Sequence, residues 1–115
     1  MRNYADLDVF QRSKRLYPIV YARVRAWKDL DQRELGSQIV RAANSIHANI
    51  AEGFAKSPAE FKRYLAMSLG SCDELISHLS DAQAVGLLSQ EEVKTLSDEY
   101  IIVGKQLNKL RQAWR

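Results

Sequence analysis

The most constraining feature of this sequence is a run of apolar and small residues spaced three or four positions apart. The run is Phe61, Leu65, Ser68, Cys72, Leu75, Leu79 and Ala82. This spacing is the period of an α-helix that buries one face. Ser57 and Glu60 have the spacing of a capping box around Pro58, and Gly86 offers a left-handed residue beyond the end. These residues predict one long, half-buried helix.

Three further segments have the same period, so the sequence predicts four helices and no strand. Their expected bounds are about 7–27, 32–53, 58–85 and 90–114. The expected caps of the other three helices are Asp6, the pair Asp31 and Glu34, and the pair Ser89 and Glu92. Because the connections are short, helices that follow one another must be antiparallel. We therefore predict an all-α fold, an antiparallel up-down-up-down four-helix bundle that occupies residues 1–115 as a single domain.

A chain of 115 residues can bury a core without a disulfide or a structural metal. Its one cysteine, Cys72, lies on the apolar stripe, where a buried thiol is unreactive. A single cysteine is typical of a reducing compartment, and no apolar run has the length of a membrane span or a signal peptide. We expect a cytoplasmic protein that does not enter a membrane.

Positive charge is concentrated in the first half of the chain. Residues 1–63 hold 12 Lys and Arg against 7 Asp and Glu, whereas residues 64–115 hold 5 against 7. A basic cluster attracts RNA or DNA by neutralising phosphates and releasing counterions, although a charged helix face is more often simply solvated. The candidate nucleic-acid residues are Arg12, Lys14, Arg15, Arg23, Arg25, Lys28, Lys105, Lys109 and Arg111.

No motif indicates catalysis, a cofactor or a metal. The sequence has no Gly-rich phosphate loop, nucleophile elbow or Cys-x-x-Cys pair. His78 follows Glu74 by four residues, which predicts a contact on a solvated helix face, whereas a metal site needs three or four converging ligands. We expect a protein that works by binding and not by catalysis, with no cofactor and no metal.

The second predicted helix is unusual in its small and polar residues. Asn49 lies on the apolar seam, where a buried amide needs a specific hydrogen-bond partner. It either fixes the packing register or contacts a ligand, and the register role is favoured. Glycines such as Gly53 and Gly70 let another helix approach closely, within one protomer or between subunits. The residues of this packing and assembly element are Arg41, Ser45, Asn49, Glu52, Gly53 and Gly70.

The run from residue 41 to residue 54 resembles the Ser-Ile-x-x-Asn-Ile-Ala-Glu-Gly signature of the four helix bundle protein family, also called the 23S ribosomal RNA intervening-sequence protein family. Phe10-Gln11 and Leu69-Gly70-Ser71 match as well, so the likeness covers nearly the whole chain. The sequence departs from the family at Phe10, where tryptophan is usual, and at His47, where proline is common. The resemblance implies a cytosolic homopentamer of four-helix bundles with no enzymatic activity.

Two functions are consistent with these residues. The first is an oligomeric binding protein whose basic surface is repeated around a ring and engages RNA or another polyanion with added avidity. The second is a protein-interaction or scaffolding module that binds no nucleic acid. In that alternative Trp27 and Trp114, near helix ends, anchor a partner protein.

Overall fold

The computed structural model describes residues 3–115, and over that range every regular element is helical. Residues 1 and 2 of the predicted domain lie outside the described range. The four long helices are α1, Asp8–Arg25, α2, Ser37–Gly53, α3, Pro58–Ala84, and α4, Gln90–Ala113. Short helical turns precede α1 and α2, over Tyr4–Asp6 before α1 and over Asp29–Asp31 and Gln32–Gly36 before α2. The prediction of four helices without a strand is confirmed for the described residues.

The four helices surround one apolar core. Helix α2 packs against α1 and α3, and α4 packs against α3 and α1. Short connections and this ring of neighbours define an up-down-up-down bundle. The bundle measures 44 × 22 × 19 Å, and its long dimension is close to the length of about 40 Å expected for the 27 residues of α3.

The predicted ends of α3 and α4 are observed. Ser89 Oγ accepts a hydrogen bond from the Glu92 backbone N–H at 3.1 Å, and Glu92 Oε1 accepts one from the Ser89 N–H at 2.9 Å, which completes a capping box. Ser57 Oγ accepts from the Glu60 N–H at 3.2 Å and caps α3. Gly86 has a φ of 81°, the left-handed conformation expected of the residue that closes α3.

The predicted cap at Asp31 is wrong. Asp31 has helical backbone angles and caps nothing, because helical structure already begins at Asp29 and continues through a π-helical turn into α2. Gln32 stabilises this entry instead. Its side-chain amide donates to the carbonyls of Arg25 at 2.8 Å and Trp27 at 2.7 Å. It thus satisfies carbonyl groups that the end of α1 leaves without helical partners.

The start of α1 also differs from the prediction. Asp6, the expected cap, belongs to the preceding 3₁₀ turn, and Leu7 occupies the cap position without a side-chain hydrogen bond. Leu7 is buried in the core, so its apolar contacts hold the entry of α1 where a cap was expected. The neighbouring Val9 is fully buried, and Phe10 is half-buried against the core.

A layer of buried polar groups crosses the middle of the bundle. The Ser13 hydroxyl of α1 and Nδ1 of His47 in α2 lie 3.1 Å apart. The Ser68 hydroxyl of α3 donates to the Ile46 main-chain carbonyl of α2 at 2.6 Å. The Cys72 thiol of α3 donates to the Tyr100 carbonyl of α4 at 3.0 Å. These contacts join α1 to α2, α2 to α3 and α3 to α4 within about one helical turn along α3, which fixes the relative heights of the helices.

Two predictions about single side chains are confirmed. Cys72 is buried, and burial raises the pKa of its thiol to about 12, so the thiolate is strongly disfavoured. His78 Nε2 lies 3.2 Å from Glu74 Oε1, one helical turn away.

The fold favours neutral His47, and this should make its stability depend on pH. Burial, with a smaller contribution from the positive charge of Lys14, lowers the pKa of His47 from its ordinary 6.5 to about 4. The unfolded chain therefore takes up a proton near pH 6.5 that the folded chain takes up only near pH 4. Stability is complete above pH 6.5 and should fall through this window by up to about 3 kcal/mol. Urea unfolding at pH 7 and pH 4.5 measures the loss.

His47→Gln is the control for this prediction, because carboxylates titrate in the same window. The variant should be less stable than the natural chain at pH 7 and should lose less stability on acidification. Equal losses in the two proteins would contradict a role for His47.

Candidate nucleic-acid interface

Helix α1 presents the predicted basic residues on two different sides. Arg12 and Arg23 lie beside the core face and reach α4, where Arg12 Nη1 is 2.9 Å from Glu99 Oε2 and Arg23 pairs with Glu92. The Arg12 side chain is only 28% exposed. These two arginines pair with carboxylates of α4, which compensates part of their charge, and their contact with nucleic acid stays a prediction.

The outer side of α1 retains free positive charge. Lys14, Arg15 and Arg25 are exposed there, and none forms an ion pair with a carboxylate among residues 3–115. Lys14 and Arg25 are eleven residues apart, close to three helical turns, so they lie along one line of the helix surface. We call Lys14, Arg15 and Arg25 the α1 stripe. Lys28 is exposed just beyond the end of α1.

The predicted basic residues of α4 do not join the α1 stripe. Lys109 lines a surface groove together with Asp6, on the side of α4 that faces the start of α1. Lys105 lines the groove between α3 and α4, beside Asp73. Arg111 donates to a neighbouring asparagine of α4 at 3.3 Å. The nine predicted residues are thus distributed over several parts of the surface.

A second basic surface was not predicted. In it two cations lie over the Tyr64 ring of α3, with Arg63 Cζ 5.1 Å and Lys56 Nζ 5.6 Å from the ring centroid. The Tyr64 hydroxyl donates to Glu52 Oε1 of α2 at 3.4 Å. The available sequence signal was an aromatic residue next to Lys62-Arg63, a few positions after Lys56.

The C-terminal end of α4 lies at this same end of the bundle. The Trp114 ring centroid is 4.8 Å from that of Phe61. Cys72 of α3 is level with Tyr100 of α4. Because α3 and α4 run in opposite directions, Phe61, eleven residues before Cys72, is level with Arg111, eleven residues after Tyr100. We call Lys56, Lys62, Arg63, Tyr64 and Arg111 the basic end.

The family-signature residues lie between α2 and α3. Ser71 of α3 donates to Ser45 Oγ of α2 at 2.9 Å. Asn49 Nδ2 donates to the Ser45 carbonyl at 2.9 Å and to Ser45 Oγ at 3.0 Å. Asn49 is half-buried and not on the fully buried seam, and its amide bonds within its own helix. The favoured role of Asn49 in fixing register therefore stays a prediction. Arg41 and Glu52 are exposed on the same helix.

The two motif glycines differ in their surroundings. A Cβ on Gly53 would lie 2.5 Å from Tyr64 Cβ and 2.7 Å from Tyr64 Cγ, so the predicted close approach of a second helix is observed here. Gly70 is exposed, and a Cβ there would meet no described atom within 4 Å. Contacts among the described residues therefore give no reason for glycine at position 70.

These contacts define an antiparallel four-helix bundle with a polar central layer and a small-residue contact between its second and third helices. The profile of the 23S rRNA-intervening sequence protein family matches residues 5–109, and the chain belongs to that family. None of the helices within residues 3–115 combines the length and the apolar composition that a bilayer crossing requires.

A solved structure has the same fold. It is the 1.70 Å crystal structure of a protein with unknown function from the S23 ribosomal protein family of Bacteroides thetaiotaomicron VPI-5482. The two proteins are 21% identical and superpose with a TM-score of 0.81, over 91% of this chain and 99% of that chain. No curated protein is similar enough in sequence to match.

The contact at Gly53 generates a prediction about stability. Gly53→Ala should destabilise the fold by about 1–3 kcal/mol, because the added methyl group overlaps Tyr64. The matched control is Gly104→Ala in α4, where the methyl group would make only ordinary contacts at 3.9 Å. That change should stabilise the fold by about 0.5–1 kcal/mol, since alanine is the better helix former. Thermal unfolding of both variants tests the pair, and a Gly53→Ala protein as stable as the natural chain would contradict the prediction.

Proposed function

We propose that this protein is a non-enzymatic, oligomeric binding protein of the cytoplasm that engages RNA or another polyanion through the α1 stripe. The observation that carries the proposal is that Lys14, Arg15 and Arg25 are exposed and without ion-pair partners among residues 3–115. Lys14 and Arg25 lie about 16 Å apart along the helix axis. About five phosphates of one duplex strand occupy that length, so the stripe can follow a nucleic-acid backbone.

Self-assembly would strengthen this binding. The family resemblance implies a homopentamer, and a stripe repeated five times gains avidity without any new contact. Met67, Ile101 and Ile102 are 40–45% exposed, which supplies apolar surface for contacts between subunits. Gly70, with open space around it, lies three residues from Met67 on the same helix. The buried free thiol of Cys72 is consistent with a reducing cytoplasm.

The alternative is a scaffolding module that binds no nucleic acid. Trp27 and Trp114, expected to anchor a partner, are half-buried and pack against the core of this chain. Met67, Ile101 and Ile102 would serve a partner protein as well as a second copy of this chain, so they do not separate the scaffold from the RNA-binding protein. A measurement of RNA binding separates the two functions.

Removal of charge from the α1 stripe should weaken RNA binding and reduce its salt dependence. For Lys14→Ala/Arg15→Ala we expect the slope of log K against log salt concentration to fall by about 1.8, because each lost phosphate contact removes about 0.9 on a duplex. Fluorescence anisotropy with a labelled hairpin RNA across a salt series gives the slope.

The control with the same loss of charge is Arg33→Ala/Lys94→Ala. Arg33 and Lys94 are exposed outside the α1 stripe and the basic end, and Lys94 pairs with Asp98. This variant should retain the slope of the natural chain. The proposal fails if the natural chain does not bind RNA at low salt, or if both variants behave alike.

Gly70 provides a test of assembly. Light scattering should give the natural chain about five times the 13.1 kDa mass of one protomer. Gly70→Leu should leave helix content unchanged, because the side chain enters open space, but should shift the mass to smaller species. Ala22→Leu, a similar change on the outer side of α1, should remain assembled. A concentration-independent monomer for the natural chain would contradict the pentamer.

A further inference from the structure

We propose that the basic end is a binding site for single-stranded RNA, in which a nucleobase stacks on the Tyr64 ring and Lys56 and Arg63 hold the adjacent phosphates. The proposal rests on the proposed function, because it takes RNA as the ligand. It adds a second site, formed by different helices, and a preference for unpaired nucleotides.

The charge of the basic end is not compensated by ion pairs. Lys56, Lys62, Arg63 and Arg111 form none with a carboxylate among residues 3–115. Two acidic residues lie nearby, and each accepts a hydrogen bond from a hydroxyl. Glu52 accepts from Tyr64, and Glu60 Oε1 accepts from Ser57 at 3.4 Å. The cations are therefore available to an external anion.

The Tyr64 ring is held in place from two directions. Its Cβ packs against the backbone of α2 at Gly53, where no side chain intervenes. Its hydroxyl is bonded to Glu52, which fixes the far end of the ring. The residue is half-buried, and the exposed side chains of Arg63 and Lys56 lie over its ring. A base that stacks on the ring takes the place of these flexible cations, which then reach its phosphates. A ring with so little freedom loses little entropy when a base stacks on it.

Aromatic stacking combined with phosphate contacts is the mode by which proteins bind single strands with little sequence preference. Arg63 and Lys56 are 5.1 and 5.6 Å from the ring centroid, so a phosphate next to a stacked base lies within their reach. In a duplex the bases are paired and stacked on one another, and none is free to contact Tyr64. The geometry therefore favours an unpaired segment.

Other anionic partners fit this surface less well. A membrane surface would be expected to meet exposed apolar side chains beside the cations. The most exposed large apolar residues of the described chain, Val85 at 67% and Leu30 at 60%, lie beyond the ends of α3 and α1, at the opposite end of the bundle. Near the basic end, Tyr4 is 37% exposed and packs on Phe54, and Met67 lies one turn from Tyr64 on the outside of α3. An acidic peptide would use the cations but would have no need of a presented ring. Both partners are outcomes of the test below.

The test is fluorescence anisotropy of the full chain with a labelled 12-nucleotide oligoadenylate and with an RNA duplex of equal length. Tyr64→Leu should lower affinity for the single strand about tenfold and leave affinity for the duplex within twofold. Tyr64→Phe keeps the ring, so it should stay within twofold of the natural chain on both probes. Lys56→Gln/Arg63→Gln should reduce the single-strand salt slope by about 1.4, and Arg33→Gln/Lys94→Gln should not change it.

Tyr64→Leu could also weaken the packing at Gly53, so circular dichroism and thermal unfolding accompany each variant. Lys56→Gln/Arg63→Gln changes only exposed cations and keeps the test decisive if Tyr64→Leu unfolds. The site is refuted if Tyr64→Leu and the Lys56/Arg63 variant both bind the single strand like the natural chain. It is also refuted if the Tyr64→Leu loss is equal on the duplex, or if phosphatidylserine vesicles or a polyglutamate peptide compete as well as oligoadenylate.

The two proposals fail in different ways. If Lys14→Ala/Arg15→Ala weakens binding of both probes and Tyr64→Leu weakens neither, the α1 stripe stands and the basic end is refuted. If Tyr64→Leu weakens only the single strand and the α1 variant changes nothing, the basic end stands and the α1 stripe is refuted. If neither probe binds at low salt, both are refuted.

Discussion

The rest of the structure depends on the buried hydrogen bonds that cross the middle of the bundle. Apolar stripes alone let helices slide, because one layer of aliphatic side chains packs nearly as well as the next. A buried hydroxyl or imidazole without a hydrogen-bond partner costs free energy. Ser13 is therefore held beside His47, and Ser68 beside the Ile46 carbonyl. Sliding one helix by a turn of about 5.4 Å would break these bonds. The layer therefore selects one register among several of similar apolar packing.

The features at the end of the bundle follow from that register. With the middle fixed, Gly53 meets Tyr64 at a distance that no larger residue permits, and Glu52 comes within reach of the Tyr64 hydroxyl. The C-terminal end of α4 brings Trp114 against Phe61 and closes the core. Within the described chain, Ser45 and Glu52 of the family signature bond to α3, and Gly53 lets the two helices touch.

The accuracy of the sequence predictions depended on how local their cause was. Ser89 and Glu92 form the predicted capping box because all its atoms lie within four residues. The same spacing at Asp31 and Glu34 forms no cap. There, helical structure runs on through a π-helical turn, and its Gly36 packs so closely on α1 that a Cβ would lie 2.6 Å from Val24 Cγ1. The sequence pattern of that segment contains no information about its distance from α1.

By itself, the sequence determined the number of helices, their order, the core stripes of α3 and α4 and the family, because helical period and capping are local properties. Only the tertiary structure decided which charges are free. Arg12 is neutralised by Glu99, 87 residues away, whereas nearby Arg15 has no such partner among the described residues. The basic end likewise combines a connection, the start of α3 and the end of α4. The physical reason is that ion pairs and charged surfaces depend on distances in space, which helix packing sets.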